Sequence, residues 1–196
     1  MPDLIAAAGS VRTEFVILVD QHDVATGTCE KLEAHRTGAL HRAFSVTIVN
    51  SAGEMLMQRR ALSKYHSGGL WSNACCGHPR PGETVVRAAR RRLREEMGIA
   101  CDLMHSDSFT YHARVTAELT EHEFDHVLVG VYDGTPLPDP AEVMEWRWSD
   151  PAQELESLTA RPELYTAWLP LVQPRAMACA AAIRSAAQLQ FLALTV

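Results

Sequence analysis

The most constraining stretch of this 196-residue chain runs from Trp71 to Ile99. It opens with Cys75, Cys76, Gly77 and His78, turns at Pro79, Pro81 and Gly82, and then becomes strongly charged. From Gly77 the spacing is five residues, Glu83, seven residues, then Arg91-Arg92-Leu93-Arg94-Glu95-Glu96-Met97-Gly98-Ile99. Val86, Ala89, Leu93 and Met97 recur at helical spacing and Gly98 is a natural stop, which predicts a helix from Glu83 or Thr84 to Met97. On that helix Arg92 and Glu96 are four apart and share a face.

Around this segment the pattern alternates between strands and turns. Glu14 to Asp20 reads as a buried strand, Val24 to Cys29 as a turn and a second short strand, and Lys31 to His41 as polar chain carrying two histidines. Arg42 to Asn50 and Glu54 to Arg60 read as the arms of a hairpin turned at 51–53. Ser63 to Gly69 is a loop and Leu70 to Cys75 a short strand. Further strands are expected at 108–115, 121–132 and 144–149, with a prolyl loop at 133–140. Asp150-Pro151 starts a helix to about Leu158; Leu164 up to Pro170, and Pro174 to Leu192, read as two more helical pieces. Strands, one central helix, more strands and then helices suggest an α/β/α sandwich around a mixed sheet. Residues 1–12 read as a loose arm and 13–196 as one domain.

The net charge of −6 argues against a nucleic-acid-binding surface, and the arginines at 90, 91, 92 and 94 fan around several helix faces. Cysteines stand at 29, 75, 76, 101 and 179, an odd number with no paired spacing, as expected of reduced thiols in a cytoplasmic protein. The first ten residues lack a secretory pattern, and no apolar run approaches the roughly 20 residues of a membrane span. Two local patterns bear on chemistry. Glu121 and Glu123 are two apart, so on a strand they project from one side and can grip one cation. Cys75 and Cys76 project to opposite sides of theirs, so only one faces a given pocket.

The loop–helix–loop from Gly77 to Ile99 resembles the Nudix box, which uses carboxylates to hold divalent metal on a diphosphate. One position departs: Arg92 stands where that box carries an acid. Together with Cys76-Gly77-His78-Pro79 and the segment Arg59-Arg60-Ala61-Leu62-Ser63-Lys64, this resembles type I isopentenyl diphosphate isomerase. The resemblance covers about Glu14 to Trp168. It implies a Nudix-like α/β/α sandwich with a central mixed sheet and extra C-terminal helices, acting on a small homoallylic or allylic diphosphate as a monomer or dimer, with no membrane or nucleic-acid partner.

The same resemblance implies a set of roles. His35, His41, His78, Glu121 and Glu123 form a divalent-metal site, and its mixed nitrogen and oxygen donors suit manganese, zinc or magnesium. Cys76 and Glu123 carry out a proton addition and a proton removal on opposite faces of the substrate. Tyr111 and Trp168 offer aromatic faces to the passing carbocation, although each also suits core packing. Lys31, Arg60, Lys64 and Arg92 grip the diphosphate, with a magnesium ion held by Glu96. Two other readings stay open: a Nudix hydrolase, supported by Glu83, Glu95, Glu96 and Gly98 but opposed by Arg92, and a non-catalytic metal-binding module. Neither of these requires Cys76.

Overall fold

The computed structural model describes residues 13–194, with side chains to 183; the expected arm at 1–12 and the last two residues lie outside the described residues. The strands are β1 (Phe15–Val19), β2 (Ala25–Glu30), β3 (His41–Val49), β4 (Met55–Arg60), β5 (Trp71–Ser72), β6 (Cys75–Gly77), β7 (Leu103–Arg114), β8 (Thr120–Val131) and β9 (Val143–Ser149). The helices are α1 (Lys31–Thr37), α2 (Val85–Met97), α3 (Pro151–Ala160) and α4 (Leu169–Leu194).

The sheet is organised on β3. Along one edge β3 pairs in parallel with β8 from His41↔Glu123 to Val49↔Val131, and β8 continues antiparallel into β7. Along the other edge β3 meets β1 at His41, β6 at Phe44 to Val46, and β4 at Val49. The expected hairpin is therefore closed only at its tip; β4 turns away to pair with β5 and β9. The expected strand at 70–75 is two short strands for the same reason, because β5 pairs with β4 and β6 with β3.

Alternation on these strands sorts the core into two layers. Val46, Ile48, Leu56, Cys75 and Leu128 pack under α2 through its Ala88, Ala89, Leu93 and Met97. Val49, Met57, Val127, Val129 and Tyr111 pack under Trp168 and the start of α4 through Leu169, Val172 and Ala176. A mixed sheet with helices on both faces is the expected α/β/α sandwich, extended at its C-terminal end by α3 and α4.

The helix termini follow the sequence closely. Thr84 caps α2 through a bond from the Arg87 amide, and Gly98 ends it at φ 65°, where a side-chain Cβ would meet the Leu137 carbonyl oxygen at 2.8 Å. Asp150 caps α3 with Pro151 in its first turn. Two expectations need correction. Lys31 to Thr37 is helical: the Glu30 carboxylate accepts from the amides of Leu32 and Glu33, a cap on a polar segment with too few apolar residues to show a period. The C-terminal helix does not break at Pro170 or Pro174. Pro170 occupies the first turn of α4, where a missing N–H costs nothing, and Pro174 gives up one bond near that end.

Candidate active site

One end of the sheet, on the α4 face, opens into a cavity of about 630 Å³. β8 supplies its floor. Glu121, Glu123 and Asp125 continue the register of Val127 and Val129 and point to the same side, so three acids extend the line of a core stripe. α1 contributes His35, the first residue of β3 is His41, and the turn after β6 carries His78.

The five expected metal ligands converge. One donor atom from each of His35, His41, His78, Glu121 and Glu123 lies within 4.8 Å of every other. Local bonds set the imidazole tautomers. His35 Nδ1 lies 2.6 Å from the Lys31 carbonyl oxygen and His41 Nδ1 2.8 Å from that of Ala39. A carbonyl only accepts, so both Nδ1 atoms carry hydrogen and both Nε2 atoms face the cluster. His41 Nε2 is 3.2 Å from His78 Nε2, which is 2.8 Å from Glu123 Oε1. His35 Nε2 is 3.1 Å from Glu121 Oε2, and both atoms are buried without another hydrogen-bond partner. Lone pairs that face one another in a buried pocket call for a cation. Three imidazoles and two carboxylates fit a divalent first-row ion or magnesium.

Glu123 is the most heavily engaged acid. Its Oε2 accepts from the Tyr111 hydroxyl at 2.6 Å, while Oε1 faces His78 and, at 3.6 Å, His41. Burial pushes its carboxyl up, but the two imidazoles outweigh that and hold it well below the usual range. Burial acts the other way on His78, which drops to about 4. Glu123 is thus an ionised acceptor. Asp125, two residues further along and fully buried, is pushed well above its usual range by burial and by the Glu123 charge.

Cys76 lines the same cavity, whereas Cys75 belongs to the layer under α2, as alternation requires. Its Sγ lies 3.2 Å from Asn73 Oδ1 and 3.5 Å from Ser45 Oγ, and the Ser45 hydroxyl donates to Asp125 at 2.8 Å. Burial pushes the thiol up to about 12, against the pull of Ser45 and Asn73, so it holds its proton at neutral pH. The Trp168 indole N–H also reaches Asn73 Oδ1, at 3.2 Å, and Ser72 Oγ at 3.1 Å. Trp168 both packs in the core and walls the cavity, so its two expected roles coexist.

The four expected cations line this cavity, but three already hold carboxylates. Lys31 pairs with Glu14 at 2.9 Å, Lys64 with Glu142 at 2.5 Å, and Arg92 with Glu96 at 2.6 Å and Glu142 at 3.1 Å. Between Lys64 and Arg92, Glu142 falls to about 2 although burial opposes this. Arg60 lies against the Trp168 ring at 5.5 Å with its Nε buried and unpartnered. Glu96 stands apart from the imidazole cluster, on α2, where burial pushes its carboxyl up against the pull of Arg92. Glu83 is paired with Arg91, and Glu95 is an exposed partner of Arg91 and Arg92.

Five residues of the site carry no role in the sequence reading: Ser45, His66, Asn73, Asp125 and Glu142. Asp125 was the most legible, as the next member of the Glu121, Glu123 alternation. His66 and Glu142 reach the cavity from irregular chain, where no periodicity points the way.

The NUDIX domain family matches residues 39–169. The isopentenyl-diphosphate Delta-isomerase of Burkholderia multivorans is 54% identical over 163 residues, covering 83% of this chain and 93% of that protein. The enzyme of the same name from Serratia proteamaculans is 52% identical over 79% of this chain and 87% of its own length. Among solved structures, a Deinococcus radiodurans protein superposes with a TM-score of 0.70 at 25% identity, over 83% of this chain and 99% of the other. The MutT protein of Methanosarcina mazei, at 20% identity and a TM-score of 0.57, covers 69% of this chain and 91% of its own, and shares the fold. No helix among the described residues is long and apolar enough to cross a membrane. By sequence, by fold and by the chemistry gathered at one end of its sheet, this chain belongs to the isopentenyl-diphosphate Delta-isomerase family of NUDIX domain proteins.

Proposed function

We propose that this chain interconverts isopentenyl diphosphate and dimethylallyl diphosphate by moving a proton across three carbons. One observation carries the reading: the Cys76 thiol and the Glu123 carboxylate line one cavity that also holds the cations for a diphosphate. The shift needs one proton added to the alkene and one removed from the far side of the resulting cation. Cys76 and Glu123 divide those transfers, and the Tyr111 hydroxyl holds the Glu123 carboxylate in place. Indole and phenol rings stabilise the intermediate charge without trapping it, each by about 0.5–2 kcal/mol. A hydrolase would need acid where Arg92 stands and would have no use for Cys76.

His35, His41, His78, Glu121 and Glu123 are the residues that would hold a divalent ion, with manganese, zinc and magnesium as candidates. Such an ion would keep Glu123 deprotonated and its free oxygen oriented. Lys31, Arg60, Lys64 and Arg92 form the diphosphate grip, and Glu96 is the candidate ligand for a magnesium ion that arrives with it. The cations are pre-ordered by Glu14, Glu96 and Glu142, so the substrate's phosphates exchange with carboxylates already in place.

Incubation with isopentenyl diphosphate in deuterated water, followed by NMR, tests the reaction. Dimethylallyl diphosphate carrying deuterium is the expected product, and release of inorganic phosphate without isomerisation would assign a hydrolase. The grip has its own test. Arg92→Gln keeps a hydrogen-bonding head beside Glu96 but removes the charge, and steady-state kinetics should show KM rising on the order of tenfold, about 1.4 kcal/mol, with a smaller change in kcat.

A further inference from the structure

We propose that His66, on the loop joining β4 to β5, is a positioning residue of the metal site that fixes Glu121 in its ligating orientation. The inference rests on reading the His/Glu cluster as a metal centre and adds a residue from outside that cluster. The His66 side chain is almost fully buried, at 4% exposure, and its Nε2 lies 2.9 Å from Glu121 Oε1. The other oxygen of the same carboxylate, Oε2, lies on the cluster side, 3.1 Å from His35 Nε2. The two oxygens of Glu121 therefore face different ways, one against His66 at 2.9 Å and the other toward the cluster. That is the arrangement in which an outer partner aims a ligating carboxylate.

The loop is shaped to deliver this ring. Arg60 Nη2 donates to the His66 carbonyl oxygen at 3.4 Å, tying down its backbone. Ser67 adopts φ 51°, a left-handed conformation unusual for a residue with a side chain, and its Oγ lies 3.2 Å from His66 Nδ1. A carboxylate only accepts, so the His66 Nε2 that faces Glu121 carries the hydrogen and Nδ1 is left to accept from the Ser67 hydroxyl. Gly68 follows where a Cβ would meet the Leu62 carbonyl oxygen at 2.9 Å, so the loop folds back on itself directly after His66. A strained residue flanked by a glycine required by close backbone approach marks a segment built to hold one side chain in place. The His66 ring also stands edge-on to Trp168, with centroids 6.1 Å apart, so the same residue bridges the metal cluster and the aromatic wall.

The test measures metal rather than turnover. Manganese(II) alone is titrated calorimetrically into metal-free wild type, His66→Phe and His66→Gln, and the cobalt(II) absorption spectrum of each is recorded. Gln places an amide N–H near the position of Nε2; Phe fills the space and donates nothing. His66→Phe should bind manganese about 10–100-fold more weakly, and His66→Gln should stay near the wild-type affinity. The cobalt spectrum should keep its band positions in His66→Gln, because the inner ligands are unchanged. Equal affinity in all three proteins overturns the proposal, and so does a cobalt spectrum in His66→Gln that reports loss of a nitrogen ligand. If His66→Phe does not fold, wild-type affinity in His66→Asn, whose shorter amide falls away from Glu121, overturns it equally. Failure of wild type itself to bind manganese would remove the metal-site reading, an outcome distinct from each of these.

Discussion

Cys76→Ala should abolish isomerisation and leave the protein folded with its metal affinity intact. The sulfur makes two polar contacts, with Asn73 Oδ1 and Ser45 Oγ, and neither partner is orphaned when it goes. Asn73 Oδ1 keeps the Trp168 indole N–H and the Ser72 hydroxyl, and Ser45 keeps Asp125. The thiol borders the cavity, so its loss enlarges an existing space and does not open a new one in packed core. The stability cost should therefore stay near 1 kcal/mol, at the low end for a truncation. Activity is another matter. A positioned proton-transfer group typically contributes about 10²–10⁴ in rate, and alanine has no proton to give or site to take one. The expected result is a fall in kcat of at least that order, with manganese titration and the melting curve close to wild type. Retained isomerase turnover in this variant would take Cys76 out of the reaction. Phosphate release at an undiminished rate would point to hydrolysis instead.

The parts of this molecule that were legible in the sequence are those whose cause is local. Thr84, Gly98, Asp150 and Pro151 mark helix ends through bonds made within one turn, and the period of Leu93 and Met97 names the face that α2 buries. Strand alternation placed Cys75 and Cys76 on opposite sides and Glu121 and Glu123 on one side, and both placements hold. What stayed hidden depends on distant partners. α1 is short and held by the Glu30 cap and by the burial of Ala34 and His35, so no apolar stripe announces it. Pro170 and Pro174 read as breaks from the sequence, yet they sit near the start of a helix whose apolar residues are anchored on β7 and β8. The assembly of His35, His41 and His78 with the β8 acids needed the resemblance to a known family, because the parallel β3–β8 pairing that joins them spans some 80 residues of chain. Even that resemblance did not reach His66, Asn73 or Glu142. Their roles are set by a loop conformation, by a shared carbonyl oxygen and by the gap between two cations, which are properties of the folded site alone.

Glu123→Gln separates the two duties placed on this residue from those of Cys76, because it should lose metal and turnover together. The substitution is close to isosteric, and the Tyr111 contact can survive with an amide N–H donating to the phenol oxygen in place of the present O–H donation to Oε2. The charge cannot survive. Glu123 Oε1 is the atom against which His78 and His41 are both arrayed, and it is one of only two anionic donors in the cluster. An uncharged amide oxygen there halves the negative charge available to a divalent ion, and manganese affinity should fall by about 100-fold or more, beyond the 10–100-fold expected for an outer partner such as His66. An amide is also no base near neutral pH, so saturating metal should not restore turnover: kcat should remain at least about 10²-fold below wild type under those conditions. That pairing of results is diagnostic. A ligand without a proton-transfer role would recover its kcat when manganese is raised to saturation. A proton-transfer group outside the metal site would lose kcat with manganese affinity unchanged. Activity near wild type at ordinary metal concentration would remove Glu123 from both roles and leave the line of acids on β8 as a structural feature of the sheet.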